Sequence, residues 1–230
     1  RAFGALPVMA HAKEESGDMA AIASSLVLNI GTLTPELIDS MIIAGKSANK
    51  KGIPIVLDAV GVGATKLRDD SALRLLKEIK INIIKGNSSE IAKLAGMNVT
   101  TRGVESTKVD ANLVDVAKNL ANKYSSTAVI TGKQDIVTDG KKVYLINNGH
   151  AMMGLMVGTG CMAASIIGAF AGVEKDYAKA AACALSCYGI AGELAAAKSH
   201  GPGSFHENFY DEVYNLDSDK INKMARVEEI

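Results

Sequence analysis

Residues 158–161, Gly-Thr-Gly-Cys, open an uncharged helical run, and that order suits one kind of chemistry. Glycines let a backbone approach a ligand closely, and the first turn of a helix presents N–H groups with no intrahelical partner. With the helix dipole behind them, such donors stabilise negative charge on a phosphoryl group in transfer. Thr159 and Gly160 would supply amides. Cys161 falls at the helix start and so is placed to act as a base toward a substrate hydroxyl. A plain turn and a small packed residue would look the same in sequence.

Two carboxylates follow short apolar runs, Asp58 after "IVL" and Glu90 in "KGNSSE". Carboxylates with waters and phosphate oxygens are how magnesium is usually held. Each also has a structural use, Asp58 as a turn cap and Glu90 in a helix's first turn. Other motifs carry less. "GVGAT" (61–65) fails as a dinucleotide fingerprint, because Lys66 stands at the third glycine position and no acidic residue follows a next strand at the expected place. Asn87-Ser88-Ser89 matches a glycosylation sequon by chance. The four histidines are scattered, so zinc has little support. Cys183 and Cys187, four apart on one helix face, are assigned to packing.

The elements that must position these residues alternate. Strand-like runs at 26–30, 53–60, 81–85 and 127–131 are separated by helical patterns near 13–24, 35–50, 69–79, 88–95 and 110–123. Thr34 with Pro35 marks one helix start. This alternation predicts right-handed crossovers and a parallel sheet in one α/β domain over 1–230. Asp139-Gly140 then divides a β-hairpin over 135–146, and the last third, about 160–226, reads as mostly helical. Ligands gather beyond the carboxyl ends of parallel strands. The loops beginning at Asp58, Gly86 and Gly132 fall there, as does the turn before the helix at Cys161.

Composition narrows the function. Lysine plus arginine equals aspartate plus glutamate at 25 each and tryptophan is absent, so neither nucleic acid nor an anionic membrane face is an expected partner. Residues 151–173 carry no charge and are long enough to cross a bilayer of about 30 Å. The Gly158-Thr159-Gly160 triplet interrupts that run, so it is read as a loop and a buried helix rather than a membrane span. Three cysteines without ligand spacing argue for a reducing cytoplasm.

The segments "LPVMAHAKEE", "LVLNIGTL", "IVLDAVGVGAT", "KGNSSEIAKLAG", "AVITGKQDIV", "NGH", "GTGC" and "GPGSF" occur in the order found in hydroxyethylthiazole kinases of the ribokinase-like superfamily. The resemblance covers essentially the whole chain. It implies a ribokinase-like α/β fold, with a mostly parallel central sheet flanked by helices and a small hairpin before the anion-hole helix. It also implies phosphorylation of the hydroxyl of 4-methyl-5-(2-hydroxyethyl)thiazole by ATP with Mg²⁺, in thiamine salvage, by a homotrimer with active sites at subunit boundaries. On this resemblance Met9 and Gly158 contact the thiazole, Lys85, Asn87 and Thr131 contact ATP, and Asp58 with Glu90 surrounds the metal. The cysteine at 161, where most ribokinase-like sugar and pyrimidine kinases have aspartate, distinguishes the thiazole enzymes. Another ribokinase-like kinase, or a binding protein without catalysis, stays as an alternative. Three positions depart from the family pattern: Lys85 for arginine, Val157 for threonine and Ala59 for proline. A lysine keeps the charge and loses the planar fork. The resemblance further implies a few dozen residues ahead of "PVM", with an early strand and thiazole contacts.

Overall fold

The computed structural model describes residues 1–97 and 112–230. Their order is α1 (Lys13–Ile22), β1 (Leu26–Asn29), α2 (Pro35–Lys51), β2 (Ile55–Asp58), α3 (Lys66–Glu78), β3 (Ile83–Asn87), α4 (Ser88–Ala95), α5 (Leu113–Tyr124), β4 (Thr127–Thr131), β5 (Asp135–Thr138) and β6 (Val143–Ile146). A 3₁₀ turn at Ala151–Leu155 leads into α6 (Thr159–Ala171), followed by α7 (Tyr177–Ala197), α8 (Pro202–Tyr214), α9 (Ser218–Met224) and β7 (Val227–Glu229). The alternating pattern thus produces the expected elements. Of the helix anticipated over 110–123, residues 110–111 lie outside the described part.

Helix starts follow local chemistry. Thr34 accepts from Leu37 N with Pro35 at the first position of α2, and Thr65 accepts from Arg68 N at the head of α3. Asn87 and Glu90 form a capping box at α4. In the hairpin, Gly140 takes φ 95° while the Asp139 carboxylate accepts from Lys141 N and Lys142 N.

The seven strands among the described residues lie in sequence order, β1 to β4 parallel and the rest antiparallel. Right-handed crossovers between consecutive neighbours carry every connecting helix to the same face. The strands split their side chains accordingly. Ile55, Leu57, Ile84, Ala128 and Ile130 pack with α2 to α5, whereas Val56, Ile83 and Val129 face α6 to α8. The second face would be bare without the C-terminal helices, which explains why α6 and α7 are so apolar. Among the described residues α7 alone is long and apolar enough to cross a membrane, and 72% of its most apolar window is buried inside the fold.

One detail was not anticipated and one differs from expectation. Helices fill the expected 160–226 region as far as Met224, and beyond it Val227–Glu229 forms β7, which pairs antiparallel with β6. Three exposed residues with charges on two of them show no apolar alternation, so only an available strand edge makes them a strand. Cys187 is buried as expected, but Cys183, one turn earlier on a helix that is buried around most of its circumference, is exposed.

Candidate active site

The carboxyl ends of β2, β3 and β4 converge with the head of α6. Asp58 ends β2, and parallel pairing sets it beside Lys85 of β3. Lys85 Nζ lies 2.9 Å from Asp58 Oδ1, and both side chains are buried, with 4% and 0% of each residue exposed. Asn29 Nδ2 donates to the other oxygen, Oδ2, at 2.8 Å, and Asn29 Oδ1 in turn accepts from Gly31 N. Burial raises the Asp58 pKa, while the Lys85 charge, with smaller help from the Cys161 thiol and the Asn29 amide, opposes the rise.

Glu90 is committed in the same way. Its Oε1 accepts from Gly61 N and its Oε2 from Asn87 N, each at 2.7 Å, so one side chain ties the loop after β2 to the end of β3. Its pKa is raised by burial against those two amides. Thr131, paired in register with Asn87, donates its hydroxyl to Gly86 O at 3.4 Å. Next to it Asp135 accepts from Gly132 N, and desolvation lifts its carboxyl to about 7.

Over these groups stands the turn before α6. Gly158 caps the helix at φ 98°, a backbone conformation that suits glycine, and no side chain caps it. The first amides are therefore left for a ligand. Gly158 and Gly160 are exposed, and Thr159 and Cys161 partly so. A Cβ placed on Gly160 would lie 3.3 Å from Lys85 Nζ, which locates the ammonium directly under the turn. Thr159 fixes the turn from within, its hydroxyl donating to Met153 O and Met156 O, while Tyr188 OH donates to Thr159 O.

The structure therefore brings Asp58, Lys85, Asn87, Glu90, Thr131, Gly158, Thr159, Gly160 and Cys161 to one end of the sheet. Met9 is not among them. It lies on the segment before α1 with 81% of its surface exposed, so within one chain it closes no pocket over Gly158. Among the described residues no group of three or more acidic, histidine or cysteine side chains could hold a metal. Asp58 and Glu90 nonetheless suit a magnesium ion held mainly by phosphate oxygens and water. Every carboxylate oxygen already accepts one hydrogen bond but keeps a second lone pair for such a water.

The motifs did not disclose Arg68. Its guanidinium donates to Ile30 O and Val60 O at 2.7 Å and to Gly31 O at 2.8 Å, pinning the loops after β1 and β2. It forms no ion pair among the described residues. A signal existed: Arg68 stands in the first turn of α3, where a cation opposes the helix dipole and needs another reason to be there. Asn29, a polar residue within "LVLNI", was a similar clue. For Tyr188 and Asp135 no local signal stands out.

Comparison with known proteins agrees with this fold. Residues 1–219 match the sequence profile of the Hydroxyethylthiazole kinase family. The chain is 60% identical over 230 residues to a hydroxyethylthiazole kinase of Methanosarcina mazei, spanning all of this chain and 88% of that one. It superposes on a hydroxyethylthiazole kinase structure from Pyrococcus horikoshii OT3 with a TM-score of 0.89 at 38% identity, covering 100% of this chain and 86% of the other. A pyridoxal kinase from Staphylococcus aureus in complex with ADP shares the fold, with a TM-score of 0.59, 15% identity and coverage of 95% and 77%.

Proposed function

The chain belongs to the hydroxyethylthiazole kinase family, and on that premise we propose that it transfers the γ-phosphoryl group of ATP, with Mg²⁺, to the hydroxyl of 4-methyl-5-(2-hydroxyethyl)thiazole. The observation that carries the reading is the uncapped, exposed turn at Gly158–Cys161 standing over the buried Lys85–Asp58 pair. A phosphoryl group lodged there would meet oriented amides on one side and an ammonium on the other. Both would be in place before the reaction, which is where phosphoryl transfer gains most of its rate.

In this reading Lys85, Asn87 and Thr131 hold the nucleotide along the strand ends. Asp58 and Glu90 would hold, through water, a magnesium ion that would neutralise charge on the phosphates. Thr159 and Gly160 amides receive the charge of the transferring group. Cys161 takes the proton of the thiazole hydroxyl, a role worth about 10²–10⁴-fold for a general base.

The thiazole pocket needs more than one chain. Leu6, Val8 and Met9 are 84%, 68% and 81% exposed, and Leu155 and Val157 beside the turn are 67% and 102% exposed. Apolar side chains at that density favour burial against another surface. A homotrimer in which Met9 of one copy meets Gly158 of the next supplies that surface. A reducing cytoplasm suits the accessible Cys161.

The test is incubation of the full chain with ATP, MgCl₂ and the thiazole alcohol, following mass for the phosphorylated product. Transfer to the thiazole with little to pyridoxal or pyrimidine alcohols is expected. ATP binding without transfer to any alcohol would leave a binding protein and overturn the reading.

A further inference from the structure

We propose that Lys85 and the divalent cation are alternative partners of Asp58, so that this protein has no metal site until a nucleotide draws Lys85 away. The inference rests on the kinase reading for the identity of the phosphate donor, but its geometry is independent of the acceptor. A magnesium-sized ion demands oxygen ligands in near-octahedral array and gives up water reluctantly. The described residues offer no cluster of three ligands. Asp58 is shut from solvent, with Lys85 Nζ on Oδ1 and the Asn29 amide on Oδ2. Each oxygen of Glu90 already accepts from one amide, of Gly61 or Asn87. A second cation approaching Asp58 would therefore meet an ammonium already bound, in a setting where solvent screens little.

The same ammonium has somewhere else to go. Its Nζ stands beneath Gly160, close enough that a Cβ there would crowd it at 3.3 Å, and the turn above presents its free amides to the surface. Phosphate oxygens at that turn would compete with Asp58 for Lys85. A lysine, a compact charge on a flexible four-carbon stem, can exchange partners by rotating a few bonds. Lys85 then offsets phosphate charge, and the released Asp58 becomes available to a cation that the phosphates carry. Electrostatic coupling of Lys85 to Glu90 and Asp135 adds to the point, because one ammonium serves three carboxyl groups of the site.

The experiment measures Mn²⁺ binding to the full chain by the loss of the free-ion electron paramagnetic resonance signal. Wild-type protein should show no saturable binding without nucleotide and clear binding with a non-hydrolysable ATP analogue. Lys85→Met should bind Mn²⁺ alone at least about tenfold more tightly than wild type, as expected from deleting a unit charge a few ångströms away. Lys85→Met/Asp58→Asn should lose that gain, and Lys85→Arg should resemble wild type. Saturable Mn²⁺ binding to nucleotide-free wild type that Asp58→Asn removes would overturn the proposal, whether or not Lys85→Met folds. A Lys85→Met protein that melts as a folded chain and binds no better than wild type would also overturn it. Phosphoryl transfer by wild type is scored separately. Absence of transfer with the expected Mn²⁺ pattern refutes the kinase reading alone, and transfer with nucleotide-free Mn²⁺ binding refutes this proposal alone.

Discussion

Replacing Arg68 with alanine should cost stability and should also make Gly61 more tolerant of a side chain. The guanidinium makes three hydrogen bonds to loop carbonyls, of Ile30, Gly31 and Val60, all at 2.7–2.8 Å. A bond from a charged donor is worth about 1.5–3 kcal/mol net, but three on one half-buried side chain do not add, since water can reach the freed carbonyls. A loss of about 2–4 kcal/mol follows, or roughly 4–16 °C in Tm at about 2–4 °C per kcal/mol for a chain of this size. Gly61 sits at φ 76°, and a Cβ there would lie 2.8 Å from Arg68 Cδ and 3.0 Å from Nε. Those atoms cannot retreat while the fork is bonded. Gly61→Ala should therefore cost about 1–2 kcal/mol for its backbone and about 1–3 kcal/mol for the clash. In Arg68→Ala only the backbone part should remain. Urea unfolding of the four proteins measures this coupling, expected at about 1–3 kcal/mol, where independent sites add within about 0.5 kcal/mol. Additive effects, or a melting point of Arg68→Ala within about 1 °C of wild type, would refute the argument that Arg68 pins these loops.

Three further outcomes can be checked. Cys161→Ser should lower kcat by about 10²-fold or more with KM for the thiazole little changed, as for loss of a general base; near-full turnover would remove Cys161 from that role. Asp135 is lifted from 3.8 to about 7, so the folded chain holds its proton more tightly than the unfolded one. Its stabilisation is full below the unfolded value and is lost as pH rises through about 7; the urea midpoint should fall from about pH 6 to about pH 8 in wild type and fall less in Asp135→Asn. Gly168→Ala would put a Cβ 2.5 Å from Val27 Cγ2 where α6 lies on β1, and should cost about 1–3 kcal/mol by overpacking, visible as a lower thermal midpoint with the activity ratio between substrates unchanged.

Much of the molecule was readable along the chain because its signals are local. The strand at 127–131 and the helix at 88–95 fall where the pattern places them, since β-branched runs and the Asn87–Glu90 capping box act within a few residues. The hairpin at Asp139-Gly140 and the helix start at Thr34-Pro35 are equally local. The strand expected over 53–60 shortens to Ile55–Asp58 because its last residues leave the ladder to form the loop that Arg68 and Glu90 hold. Of the site, the turn at Gly158–Cys161 could be named from residue types alone, and so could the two carboxylates.

What the amino-acid order determined by itself is therefore the set of elements, the glycine-opened head of α6 and the chemical groups available near it. Tertiary structure alone decided which groups are partners. Asp58 meets Lys85 across 27 positions and Arg68 reaches Ile30 across 38, distances over which no periodicity carries information. Sheet register sets those meetings, and burial then makes each one strong. The exposed Met9 shows the same rule from the other side, because a residue's place in a site depends on which surface comes to cover it.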